Sequence, residues 1–428
     1  MDIQQLHNIF LQSNGICTDT RKLNKGQLFF ALRGDNFNGN QYAIKAIENG
    51  AKHAIIDDNS IKHNNCIHVD NVLNTLQELA NYHRKNLNSI IIGLTGSNGK
   101  TTTKELIHAV LKTTFKTIAT VGNLNNHIGV PLTLLNLDKT TEFGIIEMGA
   151  NHLKEIELLS AIALPDYGYI TNIGKAHLEG FGSEENILIG KTELYKHIEK
   201  KQGSVFINYE DQKLLNEAQN ISRIEFSKND NTTNYKIKFL SSDPFVKVRY
   251  KDTEITSNLI GEYNYTNIAA SIAIGLHFKV SIKNIKTAIE SYVPKINRSE
   301  LIETKNNRLI LDAYNANPSS MRAALENFEK TSTNKTKIVV LGDMFELGKY
   351  SAKEHQNITD LIKESNSIKK AYLAGSHFSN TTTEHKMIQS FEDTESLLAV
   401  LKNETIKDAF ILIKGSRGMA LERVTQYL

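Results

Sequence analysis

A chain of 428 residues with a formal charge of +3 and two cysteines, Cys17 and Cys66, is too long for one small core and too poor in thiols for a disulfide framework or a cysteine-ligated zinc site. At roughly one domain per 150 residues it should fold as about three domains, and its Lys and Arg residues are spread out, which excludes an extended basic face for nucleic acid. The opening MDIQQLHNIF has no basic and then apolar signal pattern, and no apolar run approaches the ~20 residues of a membrane span, so a cytoplasmic, soluble enzyme with small-molecule partners and no membrane insertion is expected.

Taken in chain order, the first 85 or so residues alternate short apolar runs with turn signals: GQLFFAL, the helical YAIKAIENGA, HAIIDD and CIHVD. That grammar predicts a small α/β unit. LNTLQELANYHRKNLNS reads as an amphipathic helix running into a polar connector, which puts a boundary near residue 87.

Next comes SIIIGLTGSNGKTTTKELIHAVLKTTF, an apolar strand, a Gly-punctuated loop and a helix with Leu106, Ile107, Val110 and Leu111 on one face. Thr95, Gly96, Ser97, Asn98, Gly99, Lys100, Thr101 and Thr102 supply what a triphosphate requires: close backbone N–H groups, a lysine for the terminal phosphates and a hydroxyl for Mg²⁺. Leu94 stands where the strict P-loop pattern has glycine, and an ordinary Gly-rich turn is the alternative.

FGIIEMG, YGYITNIG and GSVFINYE, separated by helical stretches, predict a parallel sheet covered on both faces. Residues 235–258 read as an antiparallel insertion, and a helix is expected from about Asn264 to Phe278. A third unit then repeats the pattern with KIVVLGD, KKAYLAG and AFILIKG. Ligands in such sheets bind beyond the carboxyl ends of the strands, where each run stops in Gly or Asp.

The loop TGSNGKTT resembles that of the Mur ligase family, and other segments similar to that family follow in order over nearly the whole chain. TDTRKLNKGQLFFALRGDNFNGNQYAIKAIENGA looks like its uridine-nucleotide segment, VGNLNNHIGVPLTLL like the substrate stretch, and IIEMGANH and NIGKAHLEGFGSEENILIGKTELY like the metal-site segments. GEYNYTNIAA looks like the adenine-side helix, and DAYNANPSSM, VVLGDMFELG and LIKGSRGM like parts of the third domain. NLNNHIGVPLTLL together with DAYNANPSSM resembles the MurF type. Asn40 departs from the pattern, standing where many relatives have histidine.

The resemblance implies a three-domain α/β fold. Residues 1–86 form a smaller N-terminal α/β domain for the UDP-linked precursor, and 87–297 a central P-loop-type, mostly parallel sheet with helices on both faces for ATP. Residues 298–428 form a Rossmann-like α/β domain for the amine. The implied reaction joins D-alanyl-D-alanine to UDP-N-acetylmuramoyl-tripeptide through an acyl phosphate, with a monomer as the working unit. A single-amino-acid or folate-extending ligase of the same architecture is the alternative; the folate type usually has Gly-Ser after the loop lysine, where Thr101 and Thr102 stand here. A precursor sensor without catalysis is a further alternative.

The same resemblance distributes roles. Lys100 and Arg298 serve the phosphates, and Thr101, Glu147, His177 and Lys191 serve two Mg²⁺ ions, Lys191 as a carbamate. Asn264 and Asn267 serve adenine and Asp312 the ribose. Thr20, Arg21, Arg33 and Gly34 hold the uridine nucleotide, and Asn125, Asn126 and His127 the sugar or peptide. Asn315, Asn317, Asp343, Lys414, Ser416 and Arg417 receive the dipeptide. Residue by residue, plainer roles stay open: a solvated strand-end Glu147, a hydrogen-bonded structural His177, a surface-exposed Lys191, a helix-capping Asn264, an ion pair of Arg298 with Glu300, and a turn-capping Asp312.

Overall fold

The computed structural model describes residues 2–294 and 297–428; Lys295 and Ile296, within the segment expected to cross into the third unit, lie outside the described residues. Three α/β layers follow one another along the chain. In the first, strands Ile16–Cys17, Leu28–Phe30, His53–Ile56 and Cys66–His68 pair in that order, all parallel. Successive side chains of GQLFFAL point to opposite faces, so Phe29 joins a cluster with Ala43 and Ala46, while Leu28 and Phe30 join Leu6, Phe10 and Leu76.

The second layer is a nine-stranded sheet. Ile90–Thr95 lies between Tyr167–Ile170 and Phe143–Glu147, with Thr117–Ala119 beyond the latter at one edge. Ile91, Ile146 and Ile170 face the helices Glu155–Ala163 and Glu184–Lys200. Ile92, Leu94 and Ile145 face Lys100–Leu111, which buries Leu106, Ile107, Val110 and Leu111 as its periodicity predicts, and the almost wholly buried Tyr265–His277. A parallel sheet covered on both faces needs such near-continuous apolar strands.

Residues 235–258 are antiparallel, as expected, but are no separate insertion. Tyr235–Ser241 pairs parallel with Ser222–Ser227, and Lys247–Tyr250 and Thr253–Thr256 extend the same sheet beyond it. The third layer has six strands, mostly parallel: Glu300–Glu303, Arg308–Asp312, Ala409–Lys414, Thr336–Gly342, Ile368–Ala374 and Ile388–Phe391. Alternate side chains again divide it, Ile310, Val339 and Leu412 packing with Met321 and Ile358, and Leu309, Val340 and Ile411 with Leu397 and Val424. Among the described residues no helix is long and apolar enough to cross a membrane.

The helix Val72–Lys85 joins the first layer to the second. Its Arg84 guanidinium donates to the carbonyls of Ala163 and Leu164 and, at 2.7 Å, to Asp166, while Asn81 donates to Ala161 and Ile162. His83 Nε2 donates to the Leu137 carbonyl at 2.9 Å and its Nδ1 lies 3.0 Å from His7 Nε2, so the two buried rings cannot both be protonated at the shared contact.

Burial pushes the pKa of both histidines below the ordinary value, as it does for buried His355, which accepts from the Met344 N–H and donates to Ser351. Below pH 6.5 the unfolded chain therefore takes up protons that the folded chain refuses, and stability falls with acid. Each such histidine contributes at most about 1.4 kcal/mol per pH unit. Melts between pH 8 and 5 should show a plateau above neutrality and a decline starting near 6.5; a flat profile down to pH 5.5 would rule this out.

Candidate active site

The carboxyl ends of the central strands open into a cleft of about 800 Å³, closed on its far side by the third layer. Ile90–Thr95 delivers the phosphate loop there. Gly96 adopts φ +140°, and a Cβ on it would lie 2.0 Å from Thr171 Oγ1. Gly99, at φ +77°, starts the helix Lys100–Leu111 and leaves no room beside Asn267 Oδ1. Both positions need glycine because the backbone is left-handed and crowded. The loop is also pinned from outside: Ser97 Oγ donates to the Gly174 carbonyl, Asn172 and Thr171 donate to the Asn98 carbonyl, and Thr95 Oγ1 donates to Met148.

Lys100 donates to the Gly96 carbonyl at 2.8 Å and the Ser97 carbonyl at 3.2 Å, within its own loop. Burial lowers its pKa, Glu147 opposes that shift and Arg298 adds to it. Glu147 ends its strand fully buried, not solvated; its Oε1 accepts from Thr101 Oγ1 at 3.2 Å and Asn125 Nδ2 at 2.8 Å, while its Oε2, 3.6 Å from Lys104 Nζ, takes no hydrogen bond among the described residues. A hydroxyl beside a buried carboxylate with one oxygen that takes no hydrogen bond is a donor set that a hard divalent cation takes. Among the described residues no three His, Cys, Asp or Glu side chains cluster as a complete metal cage.

Lys191 is not on the surface. It lies 1% exposed beneath the cleft floor, donating to the Ala150 carbonyl at 3.0 Å, with the Phe181 ring centre 5.1 Å away. Burial, then the charge of Lys100, drive its pKa well down. His177 lines the cleft with backbone φ +55°, its Nδ1 paired to Glu346 of the third layer, which holds the Glu346 carboxyl below its ordinary range.

The helix Tyr265–His277 brings in Asn264 and Asn267. Neither caps it: Asn264 donates to the Ile260 carbonyl, Asn267 donates to Asn264, and Thr103 Oγ1 donates to Asn267 Oδ1 at 3.0 Å. From the third layer, Arg298 stacks on Tyr314 with its guanidinium carbon 3.6 Å from the ring centre; among the described residues it makes no ion pair with Glu300. Lys414 donates to Asp312 at 2.5 Å, and Asn317 donates to Asn98 Oδ1 at 2.7 Å, touching the phosphate loop directly.

Three matches with family models cover most of the chain: "Mur ligase family, catalytic domain" at 12–89, "Mur ligase middle domain" at 94–275 and "Mur ligase, glutamate ligase domain" at 297–417. A UDP-N-acetylmuramoyl-tripeptide–D-alanyl-D-alanine ligase of Bacillus subtilis (strain 168) is 34% identical over 97% of this chain and 93% of that protein. The chain belongs to the Mur ligase family. The Escherichia coli (strain K12) protein of the same description is 30% identical, over 99% of this chain and 95% of its own. Among solved structures, MurF from Acinetobacter baumannii superposes with a TM-score of 0.87 at 28% identity, covering 99% and 97% of the two chains. MurF ligase from Thermotoga maritima in complex with ADP gives 0.84 at 27%, covering 97% of each.

Within this Mur ligase chain, the cleft gathers Ser97 to Thr102, Asn125, Asn126, His127 and Glu147 with His177, Asn264 and Asn267. Arg298, Asp312, Asn315, Asn317 and Lys414 reach it from the third layer. Thr20, Arg21, Arg33 and Gly34 do not line it: Arg21 pairs with Asp19, and Arg33 donates to Asp57 at 2.7 Å. Asn40 is buried and clamps Asp57, donating to its carboxylate and accepting from its N–H. Asp343 lies off the cleft and accepts from the N–H groups of His377 and Phe378, Ser416 accepts from Phe345 N–H, and Arg417 approaches the ring of Tyr314. Sequence reading missed Tyr314 as the platform for Arg298. It also missed Lys175, which donates to buried Glu354 at 2.8 Å across the layers and whose only sequence signal is its place two residues before His177.

Proposed function

We propose that the chain joins D-alanyl-D-alanine to UDP-N-acetylmuramoyl-tripeptide in an ATP-dependent, ADP-forming reaction of peptidoglycan precursor synthesis. The reading is carried by one observation beside the full-length likeness: groups of the third layer, Asn317 above all, meet the phosphate loop in the same cleft as Glu147. Residues 1–86 are assigned to the precursor's nucleotide end, 87–297 to ATP and 298–428 to the dipeptide, with a cytoplasmic monomer as the working unit.

In the first step a carboxylate oxygen of the peptide attacks the γ-phosphorus of ATP, its P–O bond to ADP breaks, and an acyl phosphate results. In the second the dipeptide amine attacks the acyl carbon, a C–N bond forms, phosphate leaves, and the amine loses a proton. Two anions must meet first, so cationic groups decide the rate. Lys100 exchanges its loop carbonyls for phosphate oxygens, and Arg298, held flat on Tyr314, presents its fork of donors from the third layer. Asn264 and Asn267 shape the adenine side, and Asp312, braced by Lys414, serves the ribose. Asn125, Asn126 and His127 hold the sugar or peptide, Thr20, Arg21, Arg33 and Gly34 the uridine end. Asn315, Asn317 and Lys414 receive the dipeptide from inside the cleft, with Asp343, Ser416 and Arg417 behind them.

The Glu147 carboxylate and the Thr101 hydroxyl on its Oε1 fit Mg²⁺, with His177 and a carbamylated Lys191 assigned to a second ion. A divalent cation held by these residues would supply positive charge to offset that of the phosphates. Lys191 suits carbamylation because burial shifts its amine toward the neutral form, which can add to CO₂, forming an N–C bond and releasing a proton.

The test is phosphate release from ATP with UDP-tripeptide and one amine at a time. Turnover is expected with D-alanyl-D-alanine; turnover with alanine or glutamate alone and none with the dipeptide overturns the assignment.

A further inference from the structure

Lys104 lies one turn beyond Lys100 on the same helix, its side chain fully buried. An ammonium kept from water is costly unless oxygens surround it. Three do: Glu105 Oε1 at 3.0 Å, the Gly122 carbonyl at 3.3 Å and Glu147 Oε2 at 3.6 Å.

The Gly122 contact has a consequence beyond charge balance. Thr120 is fixed to the Glu147 strand, accepting from the Glu147 N–H, and Asn125 is fixed again by its bond to the Glu147 carboxylate. Between them Val121, Gly122, Asn123 and Leu124 are exposed, and Gly122 has φ +56° with open space around its Cα. Among the described residues, Lys104 is the side chain that ties this tip down.

We propose that Lys104 is a positioning residue that couples the phosphate-loop helix to the 120–128 loop, holding the tip in the shape that receives the UDP-linked peptide. The proposal rests on the reading of that loop as a precursor contact. The same ammonium faces Glu147, so one buried cation aligns the precursor loop with the end of the phosphate site.

Lys104→Met keeps the length and fills the buried space, but it leaves the buried Glu147 carboxylate without that cation, so a lowered melting temperature is expected beside the binding effect and is measured with it. The expected result is a KM for the UDP-tripeptide raised about tenfold with the KM for ATP changed less than about threefold. Calorimetric affinity for the UDP-tripeptide without nucleotide should fall by the same factor, and Lys104→Arg should recover most of it. His127→Ala, an exposed cleft residue on the same loop, is measured beside it. If His127→Ala weakens precursor binding and Lys104→Met does not, the coupling is wrong while the loop reading stands; if neither weakens it, both fall. Weakening by Lys104→Met alone also overturns the coupling, because Lys104 then acts through Glu147. Should Lys104→Met not fold, Glu105→Gln, which loosens the ammonium from the solvent side, carries the test with a shift of about threefold in the same direction, and no shift overturns it.

Discussion

Alanine in place of Lys100 is expected to lower kcat/KM for ATP by about three orders of magnitude, near 4 kcal/mol of transition-state stabilisation. The lysine stands at the start of a helix whose N–H groups already favour an anion, in a partly buried pocket where a charge acts strongly. Its present acceptors are two carbonyls of its own loop, which water can satisfy once the amine is gone, so the melting temperature should move little. A loss in activity smaller than tenfold would remove Lys100 from the phosphate chemistry.

The second large effect belongs to Lys191. Lys191→Ala should cut turnover about a hundredfold or more, in line with the loss of a preorganised charged group, and formate or acetate should restore part of it by entering the vacated space below Ala150. Independently of turnover, wild-type protein equilibrated with ¹³C-labelled CO₂ should show a carbamate carbon that is absent in Lys191→Ala. Neutral amine chemistry is what the site favours: Lys191 is buried, and the nearby charge of Lys100 opposes a second cation. A carbamate replaces that repulsion with attraction. Full activity in Lys191→Ala, no response to carboxylates and no labelled carbon would dismiss the modification.

The elements that carry the chemistry were legible because their signals are local. The run SIIIGLTGSNGKTTTKEL holds a strand period, two glycines forced by backbone angle and a helix face, and all three appear where the pattern puts them. What could not be read locally is which side chains water reaches. Lys191 in GKTELY carries no mark that its helix turns it beneath the cleft, and Lys104 shows no mark of its burial, since exposure is decided by helices packing from elsewhere in the chain. The bond from Thr103 to Asn267 was illegible for the same reason, because its two partners lie 164 positions apart in the chain. The strand Tyr235–Ser241 alternates clearly, yet alternation says nothing about its neighbour, and it found a parallel partner in Ser222–Ser227.

The two joints of the molecule differ in the share of main-chain acceptors they use. At the first, Arg84, Asn81 and His83 reach backbone carbonyls of the second layer, acceptors that cannot rotate away. At the second, Asn98 with Asn317, Lys175 with Glu354 and His177 with Glu346 meet tip to tip, beside main-chain ties from the Glu179 N–H to the Glu346 carbonyl and from the Tyr350 hydroxyl to the Gly182 carbonyl. A substrate lying across the first seam is therefore measured against a ruler of main-chain acceptors, whereas the last layer is held in larger part by side-chain pairs whose partners water can replace.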